Sequence, residues 1–265
     1  MRFFDCNAMV GPHYAPRMVG SEGERDGGPG VADLLDELDH FGIDAALVHH
    51  GLAREYAEME GNRALNDELS GHDRLHPCWV VTPPHLGRCP PPADLLSEMR
   101  GAGVRAVRLL FGGPLSYSER LDLVSHRELL SALEAARVPT FIEWEQSGEL
   151  AVGHLLELDP LLGGHPELPV IVGAPKVGAS ALRALLPRLE RSFSLRVETS
   201  GLHEARALER LAEAGGARCL LFGTRFPWFG GGQGRIALAM SELSAEDKVS
   251  VAGANLERLL EGAFA

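Results

Sequence analysis

The chain has 265 residues, 45% of them apolar, which is enough to bury one large core and predicts a single domain spanning 1–265. Its 37 acidic against 25 basic residues leave a formal net charge of -12, which repels nucleic acid and anionic membrane and excludes a polyanion partner. No apolar run is long enough to span a bilayer, and residues 1–10 show no basic leader pattern, so a cytoplasmic protein without membrane partners is expected.

Short runs rich in Val, Ile, Leu and Phe recur along the chain at 2–9, 43–49, 76–82, 104–111, 138–143, 168–174, 194–199 and 218–223. Between them, the segments 31–41, 93–102, 126–136, 179–191, 203–214 and 235–243 place leucine and alanine at three- and four-residue spacing, which predicts helices. Eight repeats of strand then helix predict a parallel sheet closed into an α/β barrel of the (β/α)8 TIM type. Gly42, Gly103 and Gly163-Gly164 follow helical patterns, where a left-handed terminating residue is wanted. A last helix at 254–261 is expected to close one end of the barrel. Residues 12–30, after the first strand, are rich in Gly, Pro and charge; they read either as a mobile lid at the strands' C-terminal face or as a plain insertion.

The four cysteines are far apart and form no Cys-x-x-Cys pair, so buried reduced thiols are expected, with Cys6 turned outward. Strand residues alternate between the two faces of a sheet, so Asp5, Asn7 and Met9 share one side of strand 1, and Phe141, Glu143 and Glu145 share one side of strand 5. If Asn7 and Glu143 face inward, they meet near the mouth with Arg108, Glu198 and Arg225. Two carboxylates, two guanidiniums and an amide would then lie together. His49 and His50 end strand 2 at the mouth, and only one of two adjacent strand residues can face it. The run Gly230-Gly231-Gly232-Gln233-Gly234 reads either as a phosphate-binding turn at a helix start or as a flexible turn. Trp228 beside it is a candidate wall of the pocket.

Asp5 and Gly11 on strand 1, Gly42-Ile43-Asp44 before strand 2, Gly103-Val104-Arg105-Ala106-Val107-Arg108 on strand 4, Phe222-Gly223-Thr224-x-x-Pro227 on strand 8 and Gly253-Ala254-Asn255-Leu256-Glu257-Arg258 near the end stand in an order that resembles the amidohydrolase-related family of TIM-barrel metal-dependent hydrolases and decarboxylases. That resemblance implies a His-x-His at Asn7 and Met9, a histidine at Glu143, another near Ala174, and an aspartate at Arg225. None of these ligands is present. Asn is a poor zinc ligand, Met a soft one and Arg none, so no bound metal or other cofactor is expected. A zinc site rebuilt from His13, one of His49 and His50, Glu143 and Glu198 is the alternative.

Two functions follow. One is a hydrolase or decarboxylase of a small organic acid or cyclic amide, with Glu143, Glu198, Asn7 and Asp5 as the catalytic set. Arg108, Arg225, His49 and Trp228 would bind the anionic substrate. The other is a catalytically silent protein whose mouth binds an anion or a partner subunit; a homo-oligomer is compatible with either. Arg225 is expected to pair with Glu143 or Glu198, because a buried carboxylate needs a cationic partner.

Overall fold

In the computed structural model the chain is a ring of parallel strands wrapped by helices, described for residues 1–12, 28–111, 120–144 and 149–265. Most of the 12–30 segment, His13 and Glu145 lie outside the described residues.

The strands are β1 (Phe4–Val10), β2 (Ala45–His50), β3 (Leu75–Pro77), β4 (Trp79–Val80), β5 (Val107–Phe111), β6 (Thr140–Trp144), β7 (Val170–Gly173), β8 (Leu195–Glu198) and β9 (Leu220–Leu221). These nine segments make the eight staves, because β3 and β4 are two halves of one. β3 pairs with β2 and β4 with β5, and the change of partner falls at Cys78, whose N–H donates to the Val48 carbonyl at 2.7 Å. Pro77 brings no N–H to the ladder, so the stave is already weakened there. The ring closes where Cys6 N donates to Phe222 O at 2.9 Å and Met9 N to Phe226 O at 3.0 Å.

Strands buried on both faces read as nearly continuous apolar runs, and β2 and β7 do so. Outward residues such as Val48, Leu109, Ile142 and Val172 pack under the helices in the main core. Inward residues form a second, smaller cluster that includes Phe4, Leu47, Phe141, Ile171 and Leu221. Leu256 and Leu260 of the last helix, Asn255–Gly262, join that cluster and seal the end at which the strands begin.

Helices Val31–Phe41 and Ala179–Arg191 have the expected bounds. The others are shifted, the one expected at 126–136 to Leu123–Ala135. The helix expected at 203–214 is Ala207–Gly215, preceded by Arg206 in the left-handed region. The helix expected at 235–243 is Gly231–Met240 and begins inside the glycine run. Neither reading of that run holds as stated: Gly231 N–H already donates to the Glu37 carboxylate at 2.9 Å. A Cβ on Gly232 would sit 2.7 Å from Phe41 Cε1, so the run lets this helix lie close against Val31–Phe41.

Strict alternation fails on β1. Its register against β2 shifts between Asp5 and Ala8, a bulge that brings Cys6 into the inward cluster and still leaves Asn7 facing the mouth. Cys6, expected outward, faces in.

Candidate functional site

Above the apolar inward layer lies a polar one, at the C-terminal ends of the strands, the end where TIM barrels carry their sites. Its first element is a latch. Asp5 is fully buried and accepts from Asn7 N and Thr224 N, both at 2.9 Å, and from Thr224 Oγ1 at 2.5 Å. It thus ties β1 to the loop after β9. Burial pushes its carboxyl up to about 6, against the hydrogen bonds from Thr224 and Asn7. Asp5 touches no guanidinium among the described residues.

The latch positions Arg225, one residue on. Arg225 holds a left-handed backbone at φ 58°, a conformation costing roughly 1–2 kcal/mol outside glycine. Its side chain is buried and repays that cost with three contacts. Nη2 lies 3.3 Å from Glu143 Oε1 and 3.2 Å from Glu198 Oε2, and Nε donates to Ser200 Oγ at 3.2 Å. Arg225 therefore pairs with both carboxylates. Asn7 Nδ2 bridges the same two oxygens, at 3.4 Å from Glu143 and 3.2 Å from Glu198.

Each carboxylate has further partners. Glu198 accepts from Ser200 N at 2.5 Å and Ser200 Oγ at 2.8 Å. Glu143 accepts from Arg108 Nη1, and its Oε2 lies 3.6 Å from Arg54 Nη1. Burial alone would raise Glu143, yet the guanidiniums of Arg108, Arg225 and Arg54 outweigh it and hold the carboxyl well below the usual range. Gly173 makes the assembly possible. A Cβ there would stand 3.2 Å from Glu143 Oε1, 3.2 Å from Glu198 Oε2 and 3.3 Å from Arg225 Nη2.

His49 is the histidine of the pair that faces the mouth; His50 turns away, accepting from Leu52 N and lying 3.4 Å from Glu68. Burial, then Arg108 and Arg54, lowers the His49 imidazole well below its ordinary value, so it is neutral at pH 7. Among the described residues neither of its buried ring nitrogens has a hydrogen-bond partner, nor do Arg108 Nε and Nη2. The Cys78 thiol, a weak acceptor, lies beside Arg108, whose guanidinium stacks 4.6 Å from the Phe141 ring centroid. Trp228 is in the same neighbourhood, with Arg54 4.9 Å from its ring centroid.

Sequence reasoning missed Arg54 and Gly173 as members of this layer. Arg54 sits on the short helix Gly51–Glu55, directly after His49 and His50, and that proximity was its only signal. The sixth-stave position aimed at the cluster is Gly173, while Ala174 packs outward in the main core.

The residues at the metal positions do not fit a divalent ion. Asn7 is spent on two carboxylates, Glu143 on three guanidiniums, and Gly173 offers no donor. Arg225 places a fixed positive charge where a ligand would stand. Among the described residues no group of three or more His, Cys, Asp or Glu is arranged to hold a metal.

An eight-stave parallel barrel with a charged cluster at its C-terminal mouth belongs to the TIM-barrel class. The sequence profile of the amidohydrolase family matches residues 30–261, and the chain belongs to that family. No curated protein gives a significant sequence match. Among solved structures, the chain is similar to 5-carboxyvanillate decarboxylase from Sphingomonas paucimobilis, with TM-score 0.67, 14% identity, and 98% of this chain and 99% of the other covered. It is likewise similar to 2,6-dihydroxybenzoate decarboxylase from Rhizobium, with TM-score 0.68, 15% identity and 98% of each chain covered. A third similar structure, from Pseudomonas putida, is provisionally assigned as a 2-pyrone-4,6-dicarboxylic acid hydrolase, with TM-score 0.73, 18% identity and 98% of each chain covered. At these identities the likeness is one of fold. No helix among the described residues is long and apolar enough to cross a membrane.

Proposed function

We propose that the mouth binds the carboxylate of a small organic acid and that the chain hydrolyses or decarboxylates such acids without a divalent ion. The similar structures named above as decarboxylases and a dicarboxylic acid hydrolase support the substrate class. The observation that carries the reading is a pair of buried groups without a hydrogen-bond partner among the described residues, Arg108 Nε with Nη2 and the two nitrogens of His49. Buried polar groups left unsatisfied are costly, about 1–3 kcal/mol each, and an ionised acid in the mouth would accept from Arg108 Nε and Nη2 and from the one N–H of the neutral His49 ring. A guanidinium fork takes a carboxylate in bidentate fashion.

Roles divide by environment. Arg225 neutralises Glu143 and Glu198 and holds the layer together. Glu143, kept ionised by three guanidiniums, is a weak base and serves to orient Arg108 and Arg54. His49, neutral and with both nitrogens open, is the group able to pass a proton to or from a bound acid. Asn7 and Asp5 position the layer, and Trp228 with Arg54 forms its side wall. A second reading, an anion-binding protein without turnover, is favoured by the contacts that already occupy both oxygens of Glu198, from Ser200, Arg225 and Asn7.

The test is a panel of aromatic and aliphatic mono- and dicarboxylic acids and cyclic esters, measured by calorimetry for binding and by carbon dioxide release or ring opening for turnover. Turnover unchanged by a chelator supports the enzyme; binding alone supports the second reading. Absence of binding across the panel, or turnover abolished by chelator, overturns the proposal.

A further inference from the structure

The opposite end of the barrel carries a second cationic centre. Arg196 lies on β8 among residues that are buried, with only 8% of its surface exposed. Its Nη1 donates to the carbonyl of Phe193, and Arg218 Nη1 donates to that same oxygen at 3.2 Å. Two guanidiniums thus converge on one neutral carbonyl. Arg218 also lies 3.9 Å from the centroid of the Phe193 ring, which is 73% exposed.

A third arginine is held nearby. Asn255 Nδ2 donates to Ala217 O at 2.8 Å and Leu220 O at 2.9 Å, pinning the last helix against the turn that carries Arg218. Asn255 Oδ1 in turn accepts from Arg258 Nη2. Among the described residues, none of Arg196, Arg218 and Arg258 makes an ion pair with a carboxylate, although the chain has 37 acidic residues. Burial, then Arg218 and Arg258, lowers the Arg196 guanidinium to about 10. A buried charge beside like charges is unfavourable unless a counter-ion joins it.

We propose that Arg196, Arg218 and Arg258 form a binding site for a dianionic oxyanion, a phosphate or a phosphomonoester, at the end of the barrel remote from the mouth. Guanidinium groups match such anions because each fork offers two parallel N–H donors to separate oxygens. Phe193 gives Arg218 a face to stack on and would form one wall beside a phosphomonoester's organic group. The site does not depend on the reaction proposed for the mouth.

The experiment is thermal denaturation of the full chain against sodium phosphate and against phenyl phosphate, with sodium chloride at matched ionic strength, beside calorimetric titration. A saturable rise in melting temperature is expected, lost in Arg218→Ala/Arg258→Ala and retained in Arg54→Met at the mouth. Arg258 is exposed and Arg218 half-buried, so the double variant disturbs less packing than Arg196→Ala, and its wild-type melting curve without phosphate checks that it folds. Stronger response to phenyl phosphate assigns the phosphomonoester; equal response assigns inorganic phosphate. A rise that does not saturate, that is equal in the double variant, or that disappears in Arg54→Met overturns the site.

Discussion

Replacing Arg225 by methionine tests the charge arrangement of the mouth. Methionine keeps much of the side-chain length and removes the guanidinium. Three contacts go: those to Glu143 Oε1 at 3.3 Å, Glu198 Oε2 at 3.2 Å and Ser200 Oγ at 3.2 Å. Glu143 keeps Arg108 and Arg54, but Glu198 loses the one cation within ion-pair distance among the described residues. Removing one partner of a buried pair costs about 3–5 kcal/mol, because the other charge is left buried. In a chain of this size each kcal/mol lowers the melting temperature by about 2–4 °C, so a fall of roughly 6–20 °C is expected. Neutralising the stranded carboxylate should then help. Arg225→Met/Glu198→Gln is expected to recover about 1–3 kcal/mol of that loss, a coupling of the size found for contacting residues. The assay is denaturant unfolding of wild type, both single variants and the double. If Arg225→Met melts within about 2 °C of wild type, or if the two changes simply add, the guanidinium does not neutralise the cluster and the reasoning fails.

Gly173→Ala is expected to destabilise by about 1–3 kcal/mol, as overpacking does, since its Cβ would press on Glu143, Glu198 and Arg225 together; a neutral effect in unfolding experiments would show that the cluster can shift aside. Asp5 has a folded value of about 6 against 3.8 when exposed, so its protonation favours folding: that gain is fully present below pH 3.8 and is lost as pH rises through about 6. Asp5→Asn should flatten the stability profile across that window, and an unchanged profile contradicts the burial argument. Arg54→Met is expected to weaken binding of a carboxylic acid about tenfold, about 1.4 kcal/mol, in calorimetry, while leaving the melting temperature within a few degrees. Affinity equal to wild type would remove Arg54 from the binding wall.

The frame was legible because it is written in periodicity. Leu34 and Leu38, four residues apart, face the core on Val31–Phe41, and Leu182, Leu185 and Leu189 do the same on Ala179–Arg191. The helix Glu58–Glu68 was not legible, because its buried positions include Glu58, Gly61 and Asn62, which carry no apolar signal. The mouth was legible in part: side-chain parity on straight staves placed Glu143, Arg108 and Glu198 together. It failed on β1, where a bulge changes parity and turns Cys6 inward, a feature without a residue signature. Gly173 also escaped notice, since a strand glycine states that space is needed and not what fills it.

Metal content measured on purified chain by elemental analysis tests the central claim most directly, that the Arg225 guanidinium stands in for the family's ion. Less than a tenth of an equivalent of zinc, manganese or iron is expected, on the order of adventitious loading, with the melting temperature unchanged by a chelator. One equivalent of a transition metal that survives dialysis would contradict the account.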